Sequence, residues 1–193
     1  MSFRSGRHFL QLPGPTNVPD RILRAMSRPP IDHRGPEFAE LGQRILTGMK
    51  YVFRASEHVF VYPASGSGAW EAALVNTLSP GDRVVRYDNG HFIETWGSVA
   101  GAVGLQVDVL PSNWRKPVDP AALEEHLVGD EAHEIKAVLV VHNETSTGVM
   151  SDIPGVRAAI DRADHPALLM VDAVSSLCAM ELLHHEWGID VTI

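Results

Sequence analysis

Ser65-Gly66-Ser67-Gly68 follows the apolar run HVFVY, residues 58–62, and leads straight into the helical stretch AWEAALVNTL. Small residues let a backbone approach a ligand closely. A helix that starts at such a loop aims N–H groups without intrahelical partners at whatever approaches. The natural guest is an anion, most often a phosphate. Taken alone, the loop reads equally as a tight strand-to-helix turn. It is not the dinucleotide fingerprint, because Glu71 stands where a third glycine would be needed. No Gly-Lys-Ser/Thr follows, as a P-loop requires, and Ala64 to Gly68 lacks the Gly-x-Ser-x-Gly of a hydrolase elbow.

Asp172 is the sharper candidate. It closes the apolar run ALLMV, and a carboxylate in that position is costly unless it meets a partner. A helix cap or a structural ion pair would serve. So would the protonated ring nitrogen of a pyridine cofactor, which an aspartate keeps charged so that the ring acts as an electron sink. Phe92 could stack on such a ring, although core packing accounts for it equally well. The histidines argue for little: His184-His185-Glu186 has neither the i,i+4 spacing nor the partner motif of a zinc site, so no metal is expected. His33 and His91 fall near the candidate residues, whereas His58, His126, His133 and His165 read as surface positions.

The elements that must position these groups follow from hydrophobic periodicity. The first nineteen residues, with the proline-rich LPGPTNVP, read as an extended arm. A short helix is expected over 20–27, then an amphipathic one with Phe38, Leu41, Ile45, Met49 and Val52 on a single stripe. Beyond it, strand-like and helix-like stretches alternate: HVFVY, AWEAALVNTL, RVVRYD, FIETWGSVAGAV, LQVDVLP, DPAALEEHL, KAVLVVH, DIPGVRAAIDRA, ALLMVDA and IDVTI. Asp119 is the expected cap of DPAALEEHL, with Pro120 at its first helical position. Such alternation predicts βαβ units in a mainly parallel sheet with helices on both faces. The nearly all-apolar AVLVV and ALLMV fit strands covered on both sides. Ligands of such sheets gather at the carboxyl ends of the strands. That selects Ser65–Gly68, Asn89–Phe92, Asn143–Gly148 and Asp172–Ser175 as converging groups. The expected organisation is an arm over 1–19 and one α/β domain over 20–193.

A chain of 193 residues with 45% apolar and 21% charged residues is ordinary globular material. A net charge of -8 with no basic stripe argues against nucleic acid. No uninterrupted apolar run suggests a membrane span, and the start MSFRSGRHFLQLPGP lacks the apolar core of a signal peptide. The single Cys178, in an apolar-rich stretch, reads as a small core filler and suits a reducing compartment, so a cytoplasmic protein is expected.

Five motifs, in order, carry a resemblance: LPGPTNVP, DHRGPEF, ASGSGAWEAALVNTLSPGD, VVHNETSTGV and VDAVSSL. Together they resemble the class V pyridoxal-phosphate aminotransferases, in particular the serine–glyoxylate and alanine–glyoxylate group, over essentially the whole chain. The resemblance implies the large domain of the fold-type I pyridoxal-phosphate enzymes. It gives Ser67, Gly68 and Ala69 to the cofactor phosphate, Phe92 to one ring face and Val174 to the other. It also sets Thr145 beside the ring oxygen and Asp172 against the pyridinium nitrogen, and makes Pro15, Thr16 and Asn17 a border of the substrate site. A homodimer is implied too, with the arm reaching toward the partner.

One departure stands out. In the family, the Schiff-base lysine follows a Gly-Ser-Gln-Lys type motif just after the strand matching IDVTI, which places it about five residues past Ile193. Lys50, Lys116 and Lys136 lie outside any such motif and read as surface residues. The smaller C-terminal domain, with its carboxylate-binding arginine, lies beyond the sequence as well. For the complete protein the resemblance implies transamination, with pyridoxal phosphate, between serine or alanine and glyoxylate or a similar 2-oxo acid. The 193 residues alone are then expected to be inactive. The alternatives are a non-catalytic cofactor-binding or dimerising fragment, and another enzyme of the same fold, a desulfurase or lyase. Phe92 counts against a desulfurase, whose ring face usually carries histidine.

Overall fold

The computed structural model describes residues 9–55 and 58–193. The chain divides into two units, residues 1–45 and 46–193. In the first unit, helix α1 spans Asp20–Met26, and helix α2, Pro36–Phe53, begins there and runs on into the second. No residue of α2 is buried, and its stripe residues Phe38, Leu41 and Ile45 stay exposed. Pro15, Thr16 and Asn17 are exposed in this unit, and the Asn17 Oδ1 accepts from the Leu10 N–H at 2.8 Å.

The second unit continues with α3 (Gly66–Thr77), β1 (Arg83–Tyr87), α4 (His91–Ala102), β2 (Gln106–Leu110), α5 (Pro120–Val128) and β3 (Ile135–Val141). A two-residue hairpin follows, β4 (Asn143–Glu144) with β5 (Val149–Met150), and then α6 (Ile153–Arg162), β6 (Leu168–Asp172) and β7 (Val191–Thr192). The five longer-range strands form a parallel sheet in the order β2-β1-β3-β6-β7. The expected α/β fold is therefore present.

Successive side chains of a strand point to opposite faces, and here both faces are covered. Val138, Val140, Leu169 and Val171 pack with Leu123 and Leu127 of α5 and Val156 and Ile160 of α6. Ala137, Leu139, Val141 and Met170 pack with Trp70 and Leu74 of α3 and Ile93 and Trp96 of α4. Burying each large apolar side chain of this kind contributes roughly 1.5–3 kcal/mol, and that is why β3 and β6 read as unbroken apolar runs. The α5 cap is as expected: the Asp119 carboxylate accepts from the Ala121 N–H at 3.0 Å, with Pro120 next.

Four local expectations differ from the structure. Residues 58–62 form no strand, and Phe60, Val61 and Tyr62 are exposed. An apolar run becomes a strand only where a sheet edge accepts its ladder, and the edges here are β2 and β7, neither of which it joins. Cys178 is exposed rather than a core filler, because the chain after β6 turns back on itself and places it in a left-handed conformation at φ 63°. His165 is buried rather than a surface residue, its Nε2 3.2 Å from Asp130 Oδ2, and His126 is half-buried. Asp130 also accepts from the Ile135 N–H at 2.7 Å, so this pair braces the amino end of β3. Among the described residues no helix is long and apolar enough to cross a membrane.

Candidate active site

At the carboxyl end of β6, Asp172 is 4% exposed. Both of its oxygens are engaged. Oδ1 accepts from the Val174 N–H at 2.8 Å, and Oδ2 accepts from the Trp70 indole N–H at 2.9 Å. Burial pushes this carboxyl above its ordinary range. The two N–H donors pull it back, and the charge of Glu144 adds to the rise. The chain holds a carboxylate in a place that disfavours its charge, with acceptor capacity left on each oxygen.

The start of α3 faces the same neighbourhood. Ser65 is its N-cap residue but makes no side-chain cap, and its first turn contains no acidic residue. The Ala69 N–H is taken by the Ser65 carbonyl at 3.2 Å, so Gly66, Ser67 and Gly68 carry the N–H groups without acceptors among the described residues. Close approach favours glycine here, most strongly at Gly68. A Cβ on Gly66 would come within 3.1 Å of Val174 Cγ2, and one on Gly68 within 2.8 Å of Ala64 Cβ. Ser67 and Val174 are exposed, whereas Ala69 is half-buried.

Phe92, half-buried in the first turn of α4, meets Trp70 edge-on with ring centroids 6.5 Å apart. The position of Phe92 is set by Glu144, which is 1% exposed. Glu144 Oε2 accepts from the N–H groups of Phe92 and Ile93 at 3.1 and 3.3 Å. Its Oε1 accepts from the Ser146 N–H at 3.1 Å and the Ser146 hydroxyl at 2.7 Å. A buried carboxylate from the β4–β5 hairpin thus caps α4, a helix whose own N-cap, Gly90, has no side chain to do so. Thr145, half-buried, is the next residue on that hairpin. The Asn143 amide donates to Ser175 Oγ at 3.0 Å, and the Ser175 hydroxyl donates to the Asn143 carbonyl at 2.7 Å, tying the hairpin to the turn after Asp172.

The structure therefore brings Ser67, Gly68, Ala69, Phe92, Thr145, Asp172 and Val174 to one end of the sheet. Pro15, Thr16 and Asn17 belong to the other unit. Sequence reasoning missed Trp70, and took Gly66 only as part of the glycine loop and Gly90 and Glu144 only as parts of polar strand ends. Two signals for them were present: an indole one turn into the helix after the glycine loop, and a helix start at 91 with no polar cap of its own, which requires an acceptor from elsewhere.

A parallel sheet covered on both faces, with a buried carboxylate at one strand end beside an uncapped helix start, is an α/β architecture of the kind that gathers ligands at the carboxyl ends of its strands. The chain belongs to the class-V aminotransferases, whose family model matches residues 8–193. It is 48% identical over 191 residues to the serine–glyoxylate aminotransferase of Methylorubrum extorquens, covering 98% of this chain and 48% of that one. It is 45% identical over 183 residues to the L-aspartate–glyoxylate aminotransferase of Paracoccus denitrificans, covering 94% and 46%. The crystal structure of an alanine–glyoxylate aminotransferase from Nostoc sp. superposes with a TM-score of 0.87 at 28% identity, covering 100% of this chain and 51% of that one. The chain thus spans about half the length of the relatives it matches.

A phosphorylated pyridine cofactor, which this family implies, fits the residues present. The α3 start offers N–H donors with no competing acid, the glycines leave room for close approach, and Asp172 offers a carboxyl acceptor fixed in orientation.

Proposed function

We propose that the full-length protein transfers an amino group from a small amino acid, serine or alanine, to glyoxylate or a similar 2-oxo acid, using pyridoxal phosphate. The observation that carries this reading is the buried Asp172, held by two N–H donors at a strand end beside the uncapped start of α3. When bound, the cofactor supplies an electron sink for the carbanion formed at the amino acid's α-carbon. Gly66, Ser67 and Gly68 donate backbone N–H bonds to its phosphate, the Ala69 amide being already engaged. Asp172 holds the proton on its ring nitrogen. Phe92 and Val174 confine the ring from its two faces, and Thr145 donates a hydrogen bond near the ring oxygen. Pro15, Thr16 and Asn17 border the substrate.

None of the chain's three lysines is placed to act here. Lys50 lies on α2, Lys116 is exposed in the loop after β2, and Lys136 sits at the amino end of β3, where its Nζ donates to the His133 carbonyl at 2.7 Å. The Schiff-base lysine is therefore assigned to residues outside 1–193. Two relatives of nearly equal identity are named for serine and for aspartate, so the donor is a matter for assay. The exposed apolar stripe of α2 supports a homodimer, and the single cysteine suits the cytoplasm.

The test is to assay the full-length, cofactor-loaded protein with serine, alanine and aspartate against glyoxylate, and to reduce it with borohydride and map the adduct. Glycine formation from glyoxylate, with one adduct on a lysine outside residues 1–193, is the expected result. No amino transfer from any of the three donors, or a stoichiometric adduct on Lys50, Lys116 or Lys136, would refute it.

A further inference from the structure

Trp70 touches two of the side chains assigned to the cofactor ring, Asp172 and Phe92, and has no role in the proposed chemistry. Its indole N–H donates to Asp172 Oδ2 at 2.9 Å across 102 positions of sequence, and the residue is 2% exposed. Its ring lies edge-on to Phe92 and stacks on Trp96, with centroids 5.8 Å apart and planes 13° from parallel. We infer that Trp70 is the positioning residue of this site, holding Asp172 in one rotation as a charged acceptor for the ring nitrogen. This role rests on the cofactor reading above.

Three physical points support it. A carboxylate can rotate about its terminal bond; with Oδ1 on the Val174 N–H and Oδ2 on Trp70, that rotation is stopped and the remaining lone pairs have fixed directions. The charged group acting on Asp172 is Glu144 of β4, and it has the same sign, so the charge of Asp172 must be supported by neutral donors. A hydrogen bond to an ionised acceptor is stronger than one between neutral groups. Finally, Trp70 lies one turn along α3 from Gly66, Ser67 and Gly68. One rigid helical turn therefore sets the separation between the phosphate cradle and the carboxylate that must meet the other end of the same ligand.

Trp96 supplies the control. It belongs to the same aromatic cluster and is fully buried, and its Nε1 has no hydrogen-bond partner among the described residues. Trp96→Phe removes a buried indole N–H from the same core without touching Asp172.

The experiment uses full-length protein labelled with carboxyl-13C aspartate and 15N tryptophan, first free of cofactor. Trp70→Phe should raise the Asp172 titration midpoint by about one pH unit, a tenfold gain in proton affinity, and Trp96→Phe should leave it in place. In the unmutated protein the Trp70 indole N–H resonance should move as Asp172 titrates while that of Trp96 does not, a measurement that needs no variant to fold. On adding pyridoxal phosphate, Trp70→Phe should weaken its binding at least about tenfold relative to Trp96→Phe. The inference is overturned if the Asp172 midpoint is the same in Trp70→Phe, if Trp96→Phe moves it equally, or if the Trp70 resonance ignores pH. Failure of the unmutated protein to bind pyridoxal phosphate would overturn the role through the reading beneath it. That failure is distinct from an unmoved Asp172 midpoint in a protein that does bind.

Discussion

The Phe92 N–H donates to Glu144 Oε2 at 3.1 Å, so the aromatic at the start of α4 is held by a carboxylate from a hairpin more than fifty residues further along the chain. The same side chain holds Ser146, and its neighbour is Thr145. Two of the groups assigned to the cofactor, Phe92 and Thr145, are therefore tied through one buried anion. Their separation is set by covalent geometry and hydrogen bonds rather than by loop flexibility.

Replacing Glu144 by glutamine tests that tie. Four donors converge on the two carboxylate oxygens. Glutamine keeps one oxygen and turns an NH2 toward the other pair, leaving buried donors facing a donor. Glu144→Gln should cost about 2–3 kcal/mol of stability, read as a lower urea midpoint, and should weaken cofactor binding by loosening Phe92. A midpoint within experimental error of the original would mean that the α4 start is held by something else.

Gly90→Ala should act through the same carboxylate. A Cβ at Gly90 would overlap the Glu144 side chain, with Cγ, Cδ and Oε2 all in its way. The φ of 169° is extended backbone open to any residue, so the obstacle is contact and not conformation. Overpacking of this kind costs about 1–3 kcal/mol. In a Glu144→Ala background most of that cost should vanish, a coupling of about 1 kcal/mol or more in a double-mutant cycle. Additive losses would show that the overlap is relieved by moving α4 and not Glu144.

Asp172 should tie stability to pH and prove necessary to the reaction. Its carboxyl is raised above the ordinary value, first by burial. A group whose folded pKa exceeds its unfolded one binds its proton more tightly when folded, so its contribution to stability is largest at low pH and falls as pH rises through the folded pKa. At neutral pH the buried Asp172 carboxyl therefore contributes less stability to the cofactor-free protein than it does in acid. Asp172→Asn removes the charge but turns an NH2 toward the Val174 or the Trp70 N–H, so it should lose stability through that unpaired donor while no longer showing the fall in stability with rising pH that the Asp172 carboxyl causes. In the full-length protein, both Asp172→Asn and Asp172→Ala should lose most of the amino transfer. An asparagine variant whose stability still falls with rising pH as the original's does would remove Asp172 from the linkage, and one that keeps substantial turnover would make Asp172 a structural residue.

Much of this site was legible because strand ends and helix starts leave strong marks. The apolar ALLMV ending on Asp172, and a glycine pair before a helix, place a carboxylate and an anion cradle without any knowledge of tertiary contacts. Trp70, Glu144 and Gly90 were not legible, since each acquires its meaning from a partner more than fifty residues away. An indole on a helix reads as core until Asp172 is seen at its N–H, and a glycine before a helix reads as a turn until Glu144 is seen to fill the space. The run at 58–62 shows the converse error. Its pattern is that of a strand, but pairing depends on an available edge, which no local pattern reports.

Acid should destabilise the second unit earlier than its carboxylates alone would predict. His142, His165 and His184 all have pKa values lowered from the ordinary 6.5, in each case first by burial. The hydrogen-bond partners of His142 and His184 are neutral hydroxyls, whereas the Asp130 carboxylate opposes the shift at His165 without reversing it. His142 Nδ1 lies 3.0 Å from Ser176 Oγ with Trp187 edge-on, His184 Nδ1 lies 2.8 Å from Thr192 Oγ1, and His165 sits on Asp130. A histidine whose folded pKa is depressed takes its proton more readily when unfolded. Above about pH 6.5 both states are neutral and nothing is lost; as pH falls from there toward the folded pKa, stability drops. Each such group can contribute up to about 1.4 kcal/mol per pH unit within that window. The urea midpoint should therefore fall between pH 7.5 and 5.5, a range in which ordinary aspartates and glutamates stay ionised. His142→Asn, which keeps a polar group near Ser176 but cannot titrate, should flatten the slope while leaving the fall due to His165 and His184. A midpoint constant over that range would mean that these rings take up protons inside the fold without opening it. An unchanged slope in His142→Asn would remove His142 from the account.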